Sequence, residues 1–369
     1  MMKFTALIFA SLMIFFSACN TKSKKSMPEI EEGFLIERGL NVSHWLSQTE
    51  IRGEERARYM GAEDFVRIAE MGFDHVRIPI DEEQMWDEQG KRNEDAFELL
   101  HKAINWSFES KLRVIVDLHV LRSHHFNSDD IQLWTDPLAQ EQFWGFWEEL
   151  SAELIEYPVD KLAYELMNEA VADDSEDWNR LIAKGIEVVR VNEPERVIVV
   201  GSNKWQQVGT FKDLKVPEDD PNLILSFHFY SPMAFTHYKA PWSKGLKDYT
   251  GEVTYPGFPV DTAVYSEYPA EVVQKLKESN ANWNAELMES EFKKAKAVAD
   301  RYALPLYCGE FGCYPSTSLE LRHQYYEDII SVFDKLDISW THWNYKNDFP
   351  VVDGETLEPI DLIVSALID

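Results

Sequence analysis

The sequence predicts a single (β/α)8 TIM barrel of the α/β class, and three features support this fold. Short apolar runs alternate with stretches of helical spacing eight times along the chain. The runs are apolar on both faces, as in parallel strands covered by helices. The chain has 369 residues, 45% of them hydrophobic, and one barrel needs about 250 residues or more. We therefore expect one catalytic-type domain over residues 33–369.

The elements alternate in the order that a barrel requires. The predicted strands lie at residues 39–42, 75–79, 113–118, 162–167, 197–201, 223–227, 306–309 and 338–343. The predicted helices lie at residues 63–71, 95–109, 137–156, 176–191, 282–302 and 319–336, with a short candidate at 206–212. A long segment at about 230–280, rich in proline, glycine and aromatic residues, follows the sixth strand. Insertions after barrel strands commonly shape the active site, although a purely structural excursion is the alternative.

The N-terminal segment has the features of a targeting sequence. Lys3 precedes an apolar run at residues 4–16 that is too short to span a bilayer comfortably. The run leads into Ser17-Ala18-Cys19, which resembles a bacterial lipobox. We predict a lipoprotein signal peptide at residues 1–18, a lipidated Cys19 and a flexible tether at 19–32. The protein would then be extracytoplasmic and anchored to the cell envelope, on the periplasmic or the outer face. A plain signal peptide is the alternative.

Charge and composition narrow the possible ligands. The formal net charge of −29 argues against nucleic acid, which requires clustered Lys and Arg, and against an anionic polysaccharide. A neutral glycan meets no such objection, and the 12 tryptophans include candidates for sugar contacts. Besides Cys19 only Cys308 and Cys313 remain, too few for a disulfide framework, and we expect two free thiols. We expect a monomer without cofactor.

Polar and aromatic side chains cluster near the ends of the predicted strands. In chain order they are Asn41, His44, Trp45, Arg77, His119, Asn168, Glu169, Trp205, His228, Tyr230, Glu310 and Trp343. Because active sites of such barrels form at the carboxyl ends of the strands, these side chains should converge. A random acidic surface would instead place its charges on helices.

Two of these residues are glutamates that directly follow apolar strands. Acetal cleavage at neutral pH needs one protonated carboxyl for the leaving oxygen and one carboxylate for the oxocarbenium-like carbon. Glu169 and Glu310 follow the fourth and seventh strands, whose ends face each other across the barrel mouth. A salt bridge could explain one such glutamate, but the pair with its polar surroundings predicts a glycoside hydrolase.

Five motifs extend this prediction to a family. The segments YELMNE, LYCGEFG, VRIP, VDLH and FHFY resemble motifs of glycoside hydrolase family 5, the cellulase family of retaining (β/α)8 hydrolases. The resemblance runs from Gly39 to about Trp343. It implies that Glu169 is the acid/base, that Glu310 is the nucleophile, and that Asn168 binds the sugar 2-hydroxyl. It further implies supporting or sugar-binding roles at the remaining positions, Arg77, His119, His228, Tyr230 and Trp343.

Simple electrostatics agrees with this division of roles. Arg77 and Tyr230 beside Glu310 would lower the pKa of its carboxyl, and its negative charge would raise the pKa of Glu169. A retaining mechanism predicts carboxyl groups about 5–5.5 Å apart, whereas a separation near about 9 Å would indicate inversion.

Several weaker signals accompany the two glutamates. Trp45 and Trp205 follow strands, and we expect sugar platforms there rather than core. Asp81, Glu82 and Glu83 look like solvated loop charges. His124 and His125 are either sugar contacts or loop surface, and Trp242 either lines a distal subsite or packs. The spacing of His119, His124 and His125 matches no zinc signature, so we predict no metal.

Together these observations predict a retaining β-glycanase that acts on a neutral β-glucan-type chain, with endo-β-1,4-glucanase activity favoured. The alternatives within the family are a β-mannanase, a β-1,3-glucanase or an exo-acting β-glucosidase. A glycan-binding surface lipoprotein without activity is the alternative of another class, but it predicts loss of a catalytic-cluster residue, and none is lost.

Overall fold

Eight parallel strands close into a barrel in a computed structural model that describes residue 1, residues 33–128 and residues 131–369. The strands are β1 (Arg38–Asn41), β2 (His75–Asp81), β3 (Arg113–Val120), β4 (Leu162–Glu165), β5 (Ile198–Gly201), β6 (Leu223–Phe229), β7 (Leu306–Phe311) and β8 (Ile338–His342). Each pairs with the next, and β8 pairs with β1. The predicted (β/α)8 barrel is confirmed. The predicted signal peptide, Cys19 and the tether lie outside the described residues.

Helices lie between successive strands except between β5 and β6, and further short helices occur in the loops. The helices are Gly53–Tyr59, Ala62–Glu70, Glu82–Met85, Glu94–Glu109, Pro137–Leu154, Ser175–Arg190, Met233–Thr236, Ala270–Ser279, Ala285–Tyr302, Leu319–Leu336 and Asp361–Ile368. Side chains of Asp136, Asp174, Asn284 and Ser318 cap four of the long helices by accepting a backbone N–H. Within the described residues no helix has the length and apolarity to cross a membrane.

The link between β5 and β6 contains no regular α-helix. The turn Asn203–Gln206 has left-handed backbone angles at Lys204, Trp205 and Gln206, and a 3-10 segment, Val208–Asp213, follows it. The short helix predicted at 206–212 is therefore only a tight turn. This turn brings the Gln206 side chain back over the barrel.

The inward side chains of the barrel change from apolar to polar along the strands. A small buried cluster of Phe34, Ile115, Ala163, Val199, Ile224 and Tyr307 fills the lower layer. Since inward residues recur every second position, Asp117, Glu165 and Ser226 form the next layer on three of these strands. The site thus rests on a packed apolar floor.

Three strand ends differ from the prediction in a way that shapes the site. β4 ends at Glu165 rather than at residue 167, although Asn168 N still donates to the Leu118 carbonyl of β3 at 3.1 Å. β6 and β7 continue further than predicted, and register shifts near their ends bring His228 opposite Glu310. Such irregularities redirect side chains near active sites. Glu310 is therefore a strand residue and not a loop residue.

The long insertion after β6 is fastened to the barrel mouth at its start. The Thr236 hydroxyl donates to the Tyr230 carbonyl at 2.5 Å, and Tyr314 N donates to the Thr236 carbonyl at 2.7 Å. Thr317 Oγ1 also donates to the Phe235 carbonyl at 2.7 Å. The first turn of the insertion therefore lies beside the ends of β6 and β7.

Candidate active site

Arg77 on β2 is the centre of the site and is fully buried. Its Nε donates to Glu165 Oε2 at 2.6 Å, and its Nη1 donates to Asn41 Oδ1 at 3.0 Å and to Glu310 Oε1 at 2.8 Å. Its Nη2 donates to Asn168 Oδ1 at 2.9 Å and contacts Asp117 Oδ2 at 3.0 Å. Each of the three guanidinium nitrogens therefore has at least one polar partner, which fixes the orientation of the group.

Glu310 is held at both carboxylate oxygens. Arg77 binds Oε1, and the Tyr230 hydroxyl donates to Oε2 at 3.0 Å. The residue before it, Gly309, cannot carry a side chain, because an added Cβ would lie 2.9 Å from Ser226 Oγ and 3.0 Å from His228 Nε2. The geometry fixes the direction in which Glu310 faces the barrel mouth.

Glu169 approaches Glu310 from the end of β4 in an unusual backbone conformation. Its φ is +44°, a left-handed value that a non-glycine residue rarely adopts. Its N–H donates to Gln206 Oε1 at 2.9 Å, and its Oε1 contacts His228 Nδ1 at 2.9 Å. One carboxylate oxygen of Glu169, one of Glu310 and a ring nitrogen of His228 all lie within 4.8 Å of one another.

Burial raises the pKa of both glutamates, but by different amounts. For Glu169 burial comes first and the nearby charge of Glu310 second, and together they hold its pKa well above the usual value. For Glu310 burial raises the pKa, while the charge of Arg77 opposes this rise. The predicted lowering of the Glu310 pKa is therefore wrong, because burial outweighs the charge of Arg77 and the nearby charge of Asp117 adds to the rise. The pKa of Glu169 is nevertheless raised more than that of Glu310, which is the predicted order.

His119 and Trp343 form one wall of the site. Their rings stack with centroids 5.5 Å apart and an interplanar angle of 12°. His119 Nδ1 contacts Asp117 Oδ2 at 2.6 Å, and burial lowers the pKa of His119 to about 3, so its ring is neutral. His44 packs edge-on against Trp343 and contacts Asp348 through Nε2 at 2.7 Å.

The site offers a poor environment for a metal ion. Glu169, His228 and Glu310 are the group of potential ligands found among the residues that the structure describes. However, the Arg77 guanidinium lies 2.8 Å from Glu310 Oε1 and already supplies the positive charge there. A second cation beside it would be repelled. These side chains are arranged for acid–base and nucleophilic chemistry instead.

Three residues of the site were not singled out as functional in the sequence. Asp117 and Glu165 are fully buried partners of Arg77, and Gln206 is the buried acceptor for the Glu169 N–H. Gln206 also donates to Glu165 Oε1 at 3.3 Å and to Ser226 Oγ at 3.0 Å. A carboxylate inside a strand that is apolar on both faces needs a buried partner, and this signal could have identified Asp117 and Glu165.

Trp45 was expected to be a sugar platform, and this prediction is wrong. Its side chain is only 1% exposed and belongs to the core, and its Nε1 donates to the Arg56 carbonyl at 2.8 Å. The chain turns after β1 so that this ring packs beneath the helix Gly53–Tyr59 rather than facing the mouth.

Two further expectations about loop residues are wrong. Asp81 and Glu82 are buried, not solvated: Gln48 N donates to Asp81 Oδ2 at 2.5 Å, and Arg122 Nη1 donates to Glu82 Oε1 at 2.6 Å. Burial raises the pKa of Asp81 to about 8. His124 is also buried, and its Nε2 accepts the Val171 N–H at 3.1 Å, so it supports the loop after β4.

Two tryptophans near the strand ends are open to solvent. Trp205 is 38% exposed, and its Nε1 donates to the Phe126 carbonyl at 2.9 Å. Trp242 is 46% exposed and contacts Tyr314 and Phe349 with centroids 5.1 Å and 5.9 Å apart. Phe349 in turn lies 5.8 Å from the ring of Tyr230. A row of aromatic rings therefore runs outward from Glu310.

Known proteins with similar sequences and folds agree with these observations. The sequence profile of the family described as Cellulase (glycosyl hydrolase family 5) matches residues 41–349. Endoglucanase C of Acetivibrio thermocellus is 31% identical over 327 residues, which cover 87% of this chain and 94% of that protein. Cellodextrinase A of Ruminococcus flavefaciens is 29% identical, with 82% and 84% covered. The crystal structure of endoglucanase Cel5A from Thermotoga maritima superimposes with a TM-score of 0.73 at 25% identity, covering 90% of this chain and 97% of that one.

Proposed function

The chain belongs to glycosyl hydrolase family 5 and is a cellulase-like β-glycoside hydrolase, and from this premise we propose that it cleaves a neutral β-1,4-glucan within the chain, with retention. The observation that carries the proposal is the carboxylate pair, whose nearest oxygens approach within 4.8 Å. This approach suits a glycosyl-enzyme mechanism, since inverting enzymes leave room for a water between carboxyl groups at least about 6.5 Å apart.

In the first step a carboxylate oxygen of Glu310 attacks the anomeric carbon of the sugar. The bond from that carbon to the glycosidic oxygen breaks, and Glu169 donates its proton to the leaving oxygen. Glu169 holds this proton near neutral pH because burial and the charge of Glu310 raise its pKa well above the usual value. Tyr230 and Arg77 keep the Glu310 carboxylate oriented for attack.

In the second step Glu169 acts as a general base instead of a general acid. Its carboxylate takes a proton from water, the water oxygen attacks the anomeric carbon, and the ester bond to Glu310 breaks. Asn168 binds the sugar 2-hydroxyl in this proposal: its Oδ1 is occupied by Arg77 Nη2, so the amide nitrogen is the group that remains for substrate. Trp343 and His119 form the wall against which the sugar ring packs.

Internal cleavage of a β-1,4-glucan is favoured by two observations. The relatives that cover most of this chain are named endoglucanases and a cellodextrinase. Exposed Trp205 and Trp242 would extend sugar contacts beyond the carboxylate pair on separate loops. A β-mannanase, a β-1,3-glucanase and an exo-β-glucosidase are the competing specificities, and product analysis separates them.

We also propose that the enzyme acts outside the cytoplasm and is held to the envelope by lipid on Cys19. The support is the apolar run followed by the lipobox-like Ser17-Ala18-Cys19 in the sequence. Full-length protein should partition with membranes, and Cys19→Ser should release it. Equal membrane retention of the Cys19→Ser variant would contradict the anchor.

The function is tested with wild-type protein and three variants on cellulose, mixed-linkage glucan, laminarin and mannan. We expect soluble oligosaccharides of several lengths from the β-1,4-linked glucans, and no measurable turnover with Glu310→Ala. Glu169→Gln should lose roughly 10²–10⁴-fold on polysaccharide, and less on an aryl β-cellobioside whose leaving group needs little protonation. The control Glu98→Gln changes an exposed glutamate on the helix Glu94–Glu109 and should leave activity unchanged. Near-wild-type activity of Glu310→Ala or Glu169→Gln would refute the assigned roles.

A further inference from the structure

The Arg77 guanidinium contacts three buried carboxylates in the polar layer above the apolar floor of the site. Arg77 contacts Glu165 at 2.6 Å, Glu310 at 2.8 Å and Asp117 at 3.0 Å. The first two contacts use Nε and Nη1, and the third uses Nη2, so the carboxylates surround the fork from different sides. Only Glu310 among the three faces the opposite catalytic glutamate.

The charged and titratable groups around Arg77 come from four other strands of the barrel and from the residues that follow them. They are Asp117 and His119 on β3, Glu165 on β4, Glu169 after β4, His228 and Tyr230 at the end of β6, and Tyr307, Cys308 and Glu310 on β7. Burial lowers the pKa of His119 to about 3 and that of His228 well below its usual value. Arg77 is therefore the cation of this group near neutral pH.

A single cation cannot compensate four buried negative charges. Burial raises the pKa of Asp117 and of Glu165 to about 7 each, although Arg77 opposes the rise in both cases. The cluster thus holds additional protons around neutral pH, because ionising every carboxyl here would leave uncompensated charge in the interior. The protonation of Asp117 and Glu165 is then coupled to that of the catalytic pair.

We propose that Asp117 and Glu165 are positioning residues for hydrolysis, and that they act by dividing the positive charge of Arg77 among three carboxylates instead of leaving it to Glu310 alone. This inference rests on the proposed function. A Glu310 that held the guanidinium alone would be a more stable anion and hence a weaker nucleophile. The two neighbouring carboxylates also fix the fork, so that Nη1 points at Glu310.

Asp117 has a second contact that serves the same purpose. Its Oδ2 forms an ion pair with Arg77 Nη2 at 3.0 Å and accepts a hydrogen bond from His119 Nδ1, whereas its Oδ1 is buried and has no hydrogen-bond partner. With Nδ1–H donating to Asp117, the His119 ring presents Nε2 as an acceptor. Asp117 therefore positions both the arginine and the histidine of the site.

Because Oδ1 of Asp117 has no hydrogen-bond partner, the substitution Asp117→Asn should disturb few contacts. The amide oxygen can take the place of Oδ2 and keep the hydrogen bond from His119 and the contact with Arg77, while the NH₂ group takes the place of the unpaired oxygen. The variant then removes charge with little change in geometry. The substitution Glu165→Gln should disturb more contacts, because both Glu165 oxygens accept hydrogen bonds, from Arg77 and from Gln206.

The experiment measures kcat/KM against pH with an aryl β-cellobioside for wild type, Asp117→Asn and Glu165→Gln. The negative charge of Asp117 raises the pKa of Glu310 and of Glu169, so its removal should move both limbs of the bell-shaped profile to lower pH, by roughly one unit. We expect kcat at the new optimum to fall severalfold with little change in KM. Glu165→Gln should move the basic limb in the same direction, since Glu165 raises the pKa of Glu169.

The control is Glu193→Gln, which removes an equally buried carboxylate that pairs with Arg196 before the start of β5, away from the barrel mouth. Its profile should match wild type. Unshifted limbs in Asp117→Asn, or a shift to higher pH, would overturn the inference. If Asp117→Asn does not fold, an unshifted basic limb in Glu165→Gln overturns it. A wild-type protein that hydrolyses no substrate of the panel would instead refute the proposed function.

Discussion

The substitution Tyr230→Phe removes the hydroxyl that donates to the proposed nucleophile, Glu310, and leaves the other side chains of the site in place. The hydroxyl donates to Glu310 Oε2 at 3.0 Å. The ring packs against His237 and Phe349 with centroids 5.1 Å and 5.8 Å apart, so phenylalanine should occupy the same position. The variant therefore reports on a single hydrogen bond to a charged group.

The hydroxyl holds Glu310 oriented for attack, and the lost orientation should lower kcat/KM roughly 10- to 150-fold, which corresponds to the about 1.5–3 kcal/mol that a hydrogen bond to a charged group contributes. The pH profile should change as well. The Tyr230 hydrogen bond lowers the pKa of Glu310, so its loss raises that pKa. Because the nucleophile must be ionised, the acidic limb of kcat/KM should move to higher pH.

The assay is the pH dependence of kcat/KM on an aryl β-cellobioside. Tyr255→Phe is the matched control, since its hydroxyl also donates to a carboxylate, Asp328 Oδ2 at 2.7 Å, within the insertion and its neighbouring helix. The control should lose stability but keep wild-type kinetics. A Tyr230→Phe enzyme with kcat/KM within about twofold of wild type and an unmoved acidic limb would refute the reasoning.

Three further substitutions test other parts of the account. Gln206→Ala removes the acceptor for the left-handed Glu169 backbone, so kcat should fall about 10- to 100-fold with KM nearly constant; a larger change in KM than in kcat would contradict this. Trp242→Ala should raise KM severalfold for long glucans but not for an aryl β-cellobioside. The control is Phe258→Ala, which changes another exposed aromatic residue of the insertion. Equal effects of Trp242→Ala on both substrates would argue against a distal subsite. Trp45→Ala should lower the free energy of unfolding by about 3–5 kcal/mol, because its ring is in the core, whereas Trp205→Ala should change stability little; denaturant unfolding would expose the reverse order.

The barrel and the main carboxylates were predictable because local patterns determine them. The run at residues 197–201 is apolar on both faces, as expected for a parallel strand covered by helices. Glu169 and Glu310 stand at the ends of such runs, and strand ends of a barrel converge whatever the loops do. These predictions needed no knowledge of tertiary contacts.

The remaining features depend on contacts between residues far apart in the chain. Glu82 is buried because Arg122 reaches it across 40 positions, and Gln206 reaches Glu169 across 37. The position of Trp45 after β1 does not determine the direction of its ring, which packs under a later helix. The pKa of Glu310 depends on its burial and on the nearby charges of Arg77 and Asp117, which no spacing in the sequence reveals.

The most direct test of the central claim is to trap the covalent intermediate. Enzyme treated with an activated 2-deoxy-2-fluoro-β-cellobioside is digested and mapped by mass spectrometry, because the fluorine slows hydrolysis of the glycosyl ester. The account predicts one cellobiosyl unit of label per protein, on Glu310, with labelling abolished in Glu310→Ala. A label on Glu169 or elsewhere, or no label on an enzyme that turns over the unfluorinated substrate, would contradict it.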